Sequence, residues 1–227
     1  VPNIGWAPSG TQDGINYIND NTVILQVFAP NKEFLFAVGD FNGWEMTSNS
    51  IMTRTPDQQR YWIELTGLDT GQPYRFQYHI MPDDIRVADA YAEIQLDKWN
   101  DPWIPESTYP DMIPFPVEFT TSDPVSVFIT GEQEYIWTDE SFDRPVQENL
   151  VIYEILVRDF SEQRTYKLIE DSLDYIENLG VSAIELMPVM EFNGNDSWGY
   201  NTTFYFAPDK AYGTRDDLKS LIDACHE

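Results

Sequence analysis

One cysteine, Cys225, is present in 227 residues, so no disulfide can close within the chain. Its place beside Leu218, Leu221 and Ile222 at helical spacing points to a buried structural thiol rather than a nucleophile. Basic residues are scarce: 13 Lys and Arg stand against 39 Asp and Glu, a net charge of −26. That balance excludes a nucleic-acid partner, because phosphates would be repelled rather than neutralised. It fits a solvated acidic surface that favours solubility or life in high salt, and no acidic block is long enough to be a tail. No apolar run approaches the about 18 residues of a membrane span, so no membrane partner is expected, and no signal-peptide pattern is found. The start at Val1 rather than Met is read as a processed or trimmed end. Compartment stays open on this reading, with an extracellular or cell-envelope place favoured over the cytoplasm. There is no internal repeat.

What is present is ample for real cores, at 42% hydrophobic and 15% aromatic residues, in one large domain or two ordinary ones. After a Gly-, Asn- and Asp-rich lead-in over residues 1–20, short alternating runs at 22–29, 34–38, 61–65 and 74–80 are separated by turn residues. The turn Met81-Pro82-Asp83-Asp84 then hands over to Arg86-Val87-Ala88. This spacing predicts an Ig-like β-sandwich over roughly 18–95, within a module of residues 1–100. Five prolines between Pro102 and Pro116 mark an extended connector, assigned to 101–149. Within it, 125–130 and 135–137 are expected as a late strand pair before a linker around Asp143 to Glu148.

From residue 150 to 227 the periodicity changes. Val151 to Leu156 is an apolar, β-branched and aromatic run that suits a strand buried on both faces. Ile169, Leu173, Ile176 and Leu179 predict one helix over 166–179, stopped by Gly180. Val181 to Leu186 is a second strand, giving a right-handed crossover unit, and Pro188 ends it. A long loop over 189–212 comes next. Thr214 then starts a helix, with Asp217 placed for a near capping box.

In this order the residues resemble a known family. Val151-Ile152-Tyr153-Glu154, Val157-Arg158-Asp159-Phe160, Leu179-Gly180-Val181-Ser182-Ala183-Ile184, Met187-Pro188-Val189, Trp198-Gly199-Tyr200-Asn201, Phe206-Ala207-Pro208 and Tyr212-Gly213-Thr214 are similar to the start of a family 13 glycoside hydrolase barrel. That is the α-amylase, pullulanase and branching-enzyme family. The resemblance implies a multidomain chain, an Ig-like β-sandwich followed by the first two β/α units of a truncated TIM (β/α)8 barrel. The turn Gly39-Asp40-Phe41-Asn42-Gly43-Trp44 resembles that of the starch- and glycogen-binding modules preceding many such barrels. Asp89-Ala90-Tyr91-Ala92 resembles the segment that leaves such a module, with Ala90 where Pro is usual.

Catalytic and binding groups of a β/α barrel sit on the loops after its strands. By position in the family, Tyr200 stacks on the sugar beside the scissile bond, flanked by Trp198 and by Asn201, which stands where many members carry Asp. Thr202 stands where many related sequences have Pro. Trp44 is either a sugar platform or a packing residue. A retaining glycosidase needs two carboxyl groups roughly 5 Å apart. The family takes them from later strands, so no catalytic residue is assigned here, although Glu154, Glu185, Glu191 and Asp196 come to mind as substitutes. The expectation is the N-terminal portion of an α-glucan-active enzyme, inactive as a fragment. The alternative is a non-catalytic α-glucan-binding protein using the Trp44 turn. No cofactor and no metal ligand are assigned, structural calcium being conceivable only in the full-length parent. Two β/α units leave an open parallel edge, so either the natural chain continues past Glu227 or the fragment self-associates through its incomplete barrel.

Overall fold

The computed structural model describes residues 2–138 and 142–227; Val1, and the reading attached to it, lies outside the described residues. The chain divides into two compact units, each discontinuous in sequence: residues 1–98 with 113–133, and 99–112 with 134–227.

The first unit is two antiparallel sheets. One holds β1 (Gly14–Asn19), β2 (Thr22–Phe28), β4 (Thr53–Arg54) and β5 (Arg60–Thr66), in the order β1-β2-β5-β4. The other holds β3 (Phe34–Gly39), β6 (Pro73–Met81), β8 (Ile94–Leu96) and β9 (Val125–Ile129), in the order β3-β6-β9-β8, with β7 (Ile85–Val87) paired to β6. Strand periodicity sends alternate side chains to opposite faces, and the second sheet uses both. Leu35 and Ala37 of β3, Phe76 and Tyr78 of β6 and Phe128 of β9 meet Val23, Leu25 and Tyr61 in a core shared with the first sheet. Val38 of β3 with Val125 and Val127 of β9 form a second cluster with Trp44, Ile94 and Leu96, on which Ile113 and Phe115 pack.

Strand β9 corrects two expectations. It lies between β6 and β8, not beside 135–137, which form no strand, so the first unit is not confined to residues 1–100. The reason is burial: four of its five residues are buried, which needs sheet neighbours on both edges and cover on both faces.

In the second unit, β10 (Ile152–Ile155) pairs in parallel with β11 (Ala183–Leu186). Between them lie a single turn α1 (Val157–Phe160), α2 (Tyr166–Glu170) and α3 (Leu173–Asn178). The continuous helix expected over 166–179 is therefore interrupted. The Ser172 hydroxyl donates to the Leu168 carbonyl at 2.7 Å, and its backbone leaves the helical region at φ −104, ψ 5. Residues 189–212, expected as a loop, contain an antiparallel hairpin of β12 (Met190–Phe192) and β13 (Thr202–Pro208). Its Thr, Phe and Tyr residues suit an extended chain.

The last helix, α4 (Arg215–His226), starts with a full Thr214/Asp217 capping box. Cys225 on it is exposed, contrary to expectation; the helix instead buries Leu221 and Asp223. Asp223 accepts hydrogen bonds from Thr138 N at 2.9 Å and Oγ1 at 3.0 Å, and from Tyr135 Oη at 3.3 Å, which turns that side of the helix inward. Ile155, Val157, Tyr166, Ile169, Ile176, Phe192, Tyr212 and Leu221 make the core of this unit. Among the described residues no helix is long and apolar enough to cross a membrane.

Candidate functional site

Pro188 ends the second parallel strand, and the loop beyond it is shaped around its carbonyl. A Cβ on Gly199 would lie 2.2 Å from Pro188 O, and Gly199 has φ +86, so only glycine lets the loop pass there. On either side of this pinned point stand Trp198, 59% exposed, and Tyr200, 71% exposed. Asn201 braces rather than projects. Its Nδ2 donates to the Asn193 carbonyl at 3.1 Å, its Oδ1 accepts from the Ser197 hydroxyl, and Ser197 Oγ in turn accepts Gly199 N at 3.0 Å. Thr202, next in the chain, donates its hydroxyl to the Gly199 carbonyl at 3.0 Å.

Arg158, on the turn after β10, ties the two loops together. It grips Asp159 with two hydrogen bonds at 2.7 and 3.0 Å and reaches Asp196 Oδ1 at 3.0 Å. The guanidinium holds the Asp159 carboxyl below its ordinary range. Two more aromatics, Tyr205 and Phe206 on β13, are exposed in the same unit, and neither is a candidate site residue in the sequence, where Phe206 enters only as part of the family resemblance. Their signal was the run Thr202 to Phe206, with its strand-forming residues.

Behind the loop lies a buried ionic group that sequence patterns did not reveal as a set. Asp101, Glu191, Asp209 and Lys210 are all buried. Lys210 Nζ is 2.5 Å from Glu191 Oε1 and 3.3 Å from Asp101 Oδ1. Asp209 accepts the backbone N–H groups of Phe192 at 3.0 Å and Ala211 at 2.9 Å. Two carboxyl groups thus pair with one ammonium, while the third is held by backbone donors. Burial pushes the Glu191 carboxyl up to about 8 against the pull of Lys210, and raises Asp209 to about 6. Lys210 is held charged: burial opposes its charge, but Glu191 and Asp101 more than offset that. Among the described residues, no group of His, Cys, Asp and Glu is arranged to hold a metal ion.

The other carboxylates considered from sequence are scattered. Glu154 and Glu185 are register partners on β10 and β11, both exposed, and Asp196 is taken by Arg158. Trp198, Tyr200 and Asn201 share one loop, but Trp44 belongs to the first unit and is only 5% exposed. Its indole Nε1 donates to Asp40 Oδ1 at 3.0 Å, and its ring stacks on Phe119 at 6.0 Å between centroids and 5° between planes. Asp40 also holds Arg75 Nε at 2.8 Å. A ring so enclosed has no open face for a sugar, which corrects the placing of Trp44 among the candidate binding residues; the turn has swung its indole into the core.

Solved structures place this arrangement in a class of folds. A putative α-amylase from Salmonella typhimurium superposes with a TM-score of 0.70 at 23% identity, covering 97% of this chain and 32% of that one. The pullulanase SAP of GBS, solved with maltotetraose, superposes with a TM-score of 0.66 at 21% identity, covering 96% and 32%. The fold is that of a part, about a third, of these amylase- and pullulanase-type proteins.

Sequence then gives the family. Residues 115–227 match the α-amylase catalytic domain, and through this half the chain belongs to the α-amylase family, family 13 of the glycoside hydrolases. Among curated relatives, the 1,4-α-glucan branching enzyme GlgB of Corynebacterium jeikeium is 29% identical over 212 residues, which is 92% of this chain and 27% of the relative. That of Methylococcus capsulatus is 30% identical over 217 residues, 90% and 26%. The chain therefore spans about a quarter of the length of these relatives.

Proposed function

We propose that this chain is the N-terminal portion of an enzyme acting on α-glucans of the starch and glycogen type. In finer terms, the first unit is an Ig-like module and the second the first two β/α units of a (β/α)8 barrel. The observation that carries the reading is the family match over 115–227 together with a loop after the second parallel strand that presents Trp198 and Tyr200 on a fixed turn. Glucose rings have apolar faces edged by hydroxyls, and an immobilised aromatic plane meets such a face with little loss of conformational freedom. Tyr200 is the stacking residue, Trp198 a flanking contact, and Asn201 a brace that fixes the loop through Asn193 and Ser197.

In this reading the carboxylates that cleave or transfer the glycosidic bond are supplied outside the chain, by later strands of the parent. The exposed apolar run Val151, Ile152 and Tyr153 supports it, because a barrel strand needs a neighbour on each edge. The alternative of a binding protein that uses Trp44 loses its platform to the core.

The test is made in the parent protein with starch and with a β-linked glucan. Tyr200→Ala is expected to lower kcat/KM on starch roughly five- to tenfold, the scale of one aromatic contact of about 1 kcal/mol, while the 227-residue chain alone leaves starch unchanged. Activity in the isolated chain that survives removal of contaminants, or a parent that acts on β-linked glucans only, would overturn the reading.

A further inference from the structure

The first unit has an exposed tryptophan away from the buried Trp44. Trp6 is 63% exposed and borders a cleft of about 510 Å³ whose other walls include Gln12, Asp13, Gln26, Thr55 and Arg60. The cleft is built, not a gap between wandering segments. On one side Gly5 N donates to Arg54 O at 3.0 Å, and Trp62 Nε1 donates to Gly5 O at 3.0 Å, which fixes the chain immediately before Trp6. On the other side Gln12 and Asn16 exchange two hydrogen bonds of 2.9 Å, and between them the Thr11 hydroxyl closes onto Pro8 O at 2.8 Å.

The polar wall is organised in the same way. Arg60 binds Asp13 through Nε at 2.8 Å and Nη2 at 3.1 Å, and Gln26 Nε2 adds a third hydrogen bond to the same carboxylate at 3.2 Å. A guanidinium has five N–H donors, so Arg60 keeps donors beyond the two that Asp13 takes, and Gln26 keeps its carbonyl oxygen.

We infer that this cleft is a carbohydrate-binding site for a neutral oligosaccharide, with Trp6 as the stacking plane and the Asp13–Arg60–Gln26 group as the hydroxyl-binding wall. The chemistry selects the ligand. A flat aromatic face meets the apolar face of a sugar ring, and neighbouring planar polar groups meet its equatorial rim. The Asp13–Arg60 pair cancels its own charge, and a chain of net charge −26 disfavours anionic ligands, so an uncharged polyhydroxyl compound fits where a phosphate or an acidic peptide does not. That the sugar is α-linked glucan rests on the function proposed above; that it is a neutral oligosaccharide does not.

The test is calorimetric titration of the 227-residue chain with maltoheptaose and, separately, with cellohexaose, in the natural form and as Trp6→Ala, Trp6→Phe and Trp103→Ala. Unfolding midpoints confirm that each variant is folded, which the exposure of Trp6 favours. Maltoheptaose binding that falls at least tenfold in Trp6→Ala, recovers in part in Trp6→Phe and persists in Trp103→Ala, a change at an exposed tryptophan with no place in either proposed site, is the expected result. Binding of cellohexaose alone, lost in Trp6→Ala, would keep the site and remove the α-glucan reading. Binding that Trp6→Ala leaves unchanged, or no binding of either sugar, would overturn the proposal.

Discussion

Strands β2 and β10 are both built on β-branched and aromatic residues and end in opposite surroundings. Thr-Val-Ile-Leu-Gln-Val-Phe of β2 buries four consecutive residues, whereas Ile-Tyr-Glu-Ile of β10 leaves three of its four exposed. Strand β2 has β1 and β5 on its two edges and shares a core with the second sheet; among the described residues β10 has β11 alone. Burial is thus conferred by neighbours, and an apolar run states only that neighbours are needed. The two units differ inside as well. The first buries the Asp89 carboxyl against the Tyr78 hydroxyl, whereas the second buries Asp101 and Glu191 against a lysine, with Asp209 beside it in sequence.

That contrast can be broken most forcefully at Lys210. Lys210→Met leaves Asp101 and Glu191 buried with the cation they pair with gone, and about 3–5 kcal/mol of stability should be lost in urea unfolding. A loss below about 1 kcal/mol would mean that the carboxyl groups are neutral already.

In the first unit the matching change is Trp44→Ala, which should cost about 3–4 kcal/mol because it empties a packed indole site and leaves Asp40 one donor short. The exposed Trp198→Ala should stay within about 0.5 kcal/mol. Equal effects at the two tryptophans would contradict the assignment of one to packing and the other to a surface.

A further effect is one of pH. Glu191 is raised from 4.5 to about 8 in the folded protein. Between these values the folded chain keeps a proton that the unfolded chain has released, so stability falls as pH rises through the window, by roughly 1 kcal/mol per unit. Unfolding free energies at pH 6 and pH 8 should draw together in Glu191→Gln, and an unaltered difference would place the titration elsewhere.

Much of the fold is legible in the amino-acid sequence. The alternating runs of the first half, the parallel pair 152–155 and 183–186 and the Thr214/Asp217 cap are local patterns, and each produces its element. The features that escape depend on distant partners. Nothing around Asp101 announces Lys210, more than a hundred positions later, and nothing around Asp223 announces Thr138. Trp44 is ambiguous in sequence because its fate turns on Phe119, which comes from the stretch that reads as connector. The hairpin 190–208 is hidden by the Gly, Asn and Asp residues of its long tip, and the break at Ser172 by a hydroxyl that periodicity does not weigh.

The position of β9 also bears on how the molecule is made and cut. Because it enters the second sheet between β6 and β8, the first unit lacks an interior strand until residue 129 has left the ribosome, some thirty residues after β8. Residues 99–112, already synthesised, wait for partners such as Asn195 and Lys210 that come far later. The chain passes between its units at 98/99, 112/113 and 133/134, so no single scission separates them. A gene trimmed at codon 100 would encode a sheet with a missing middle, whereas one trimmed near 133 would keep the sheet whole and carry 99–112 as a passenger.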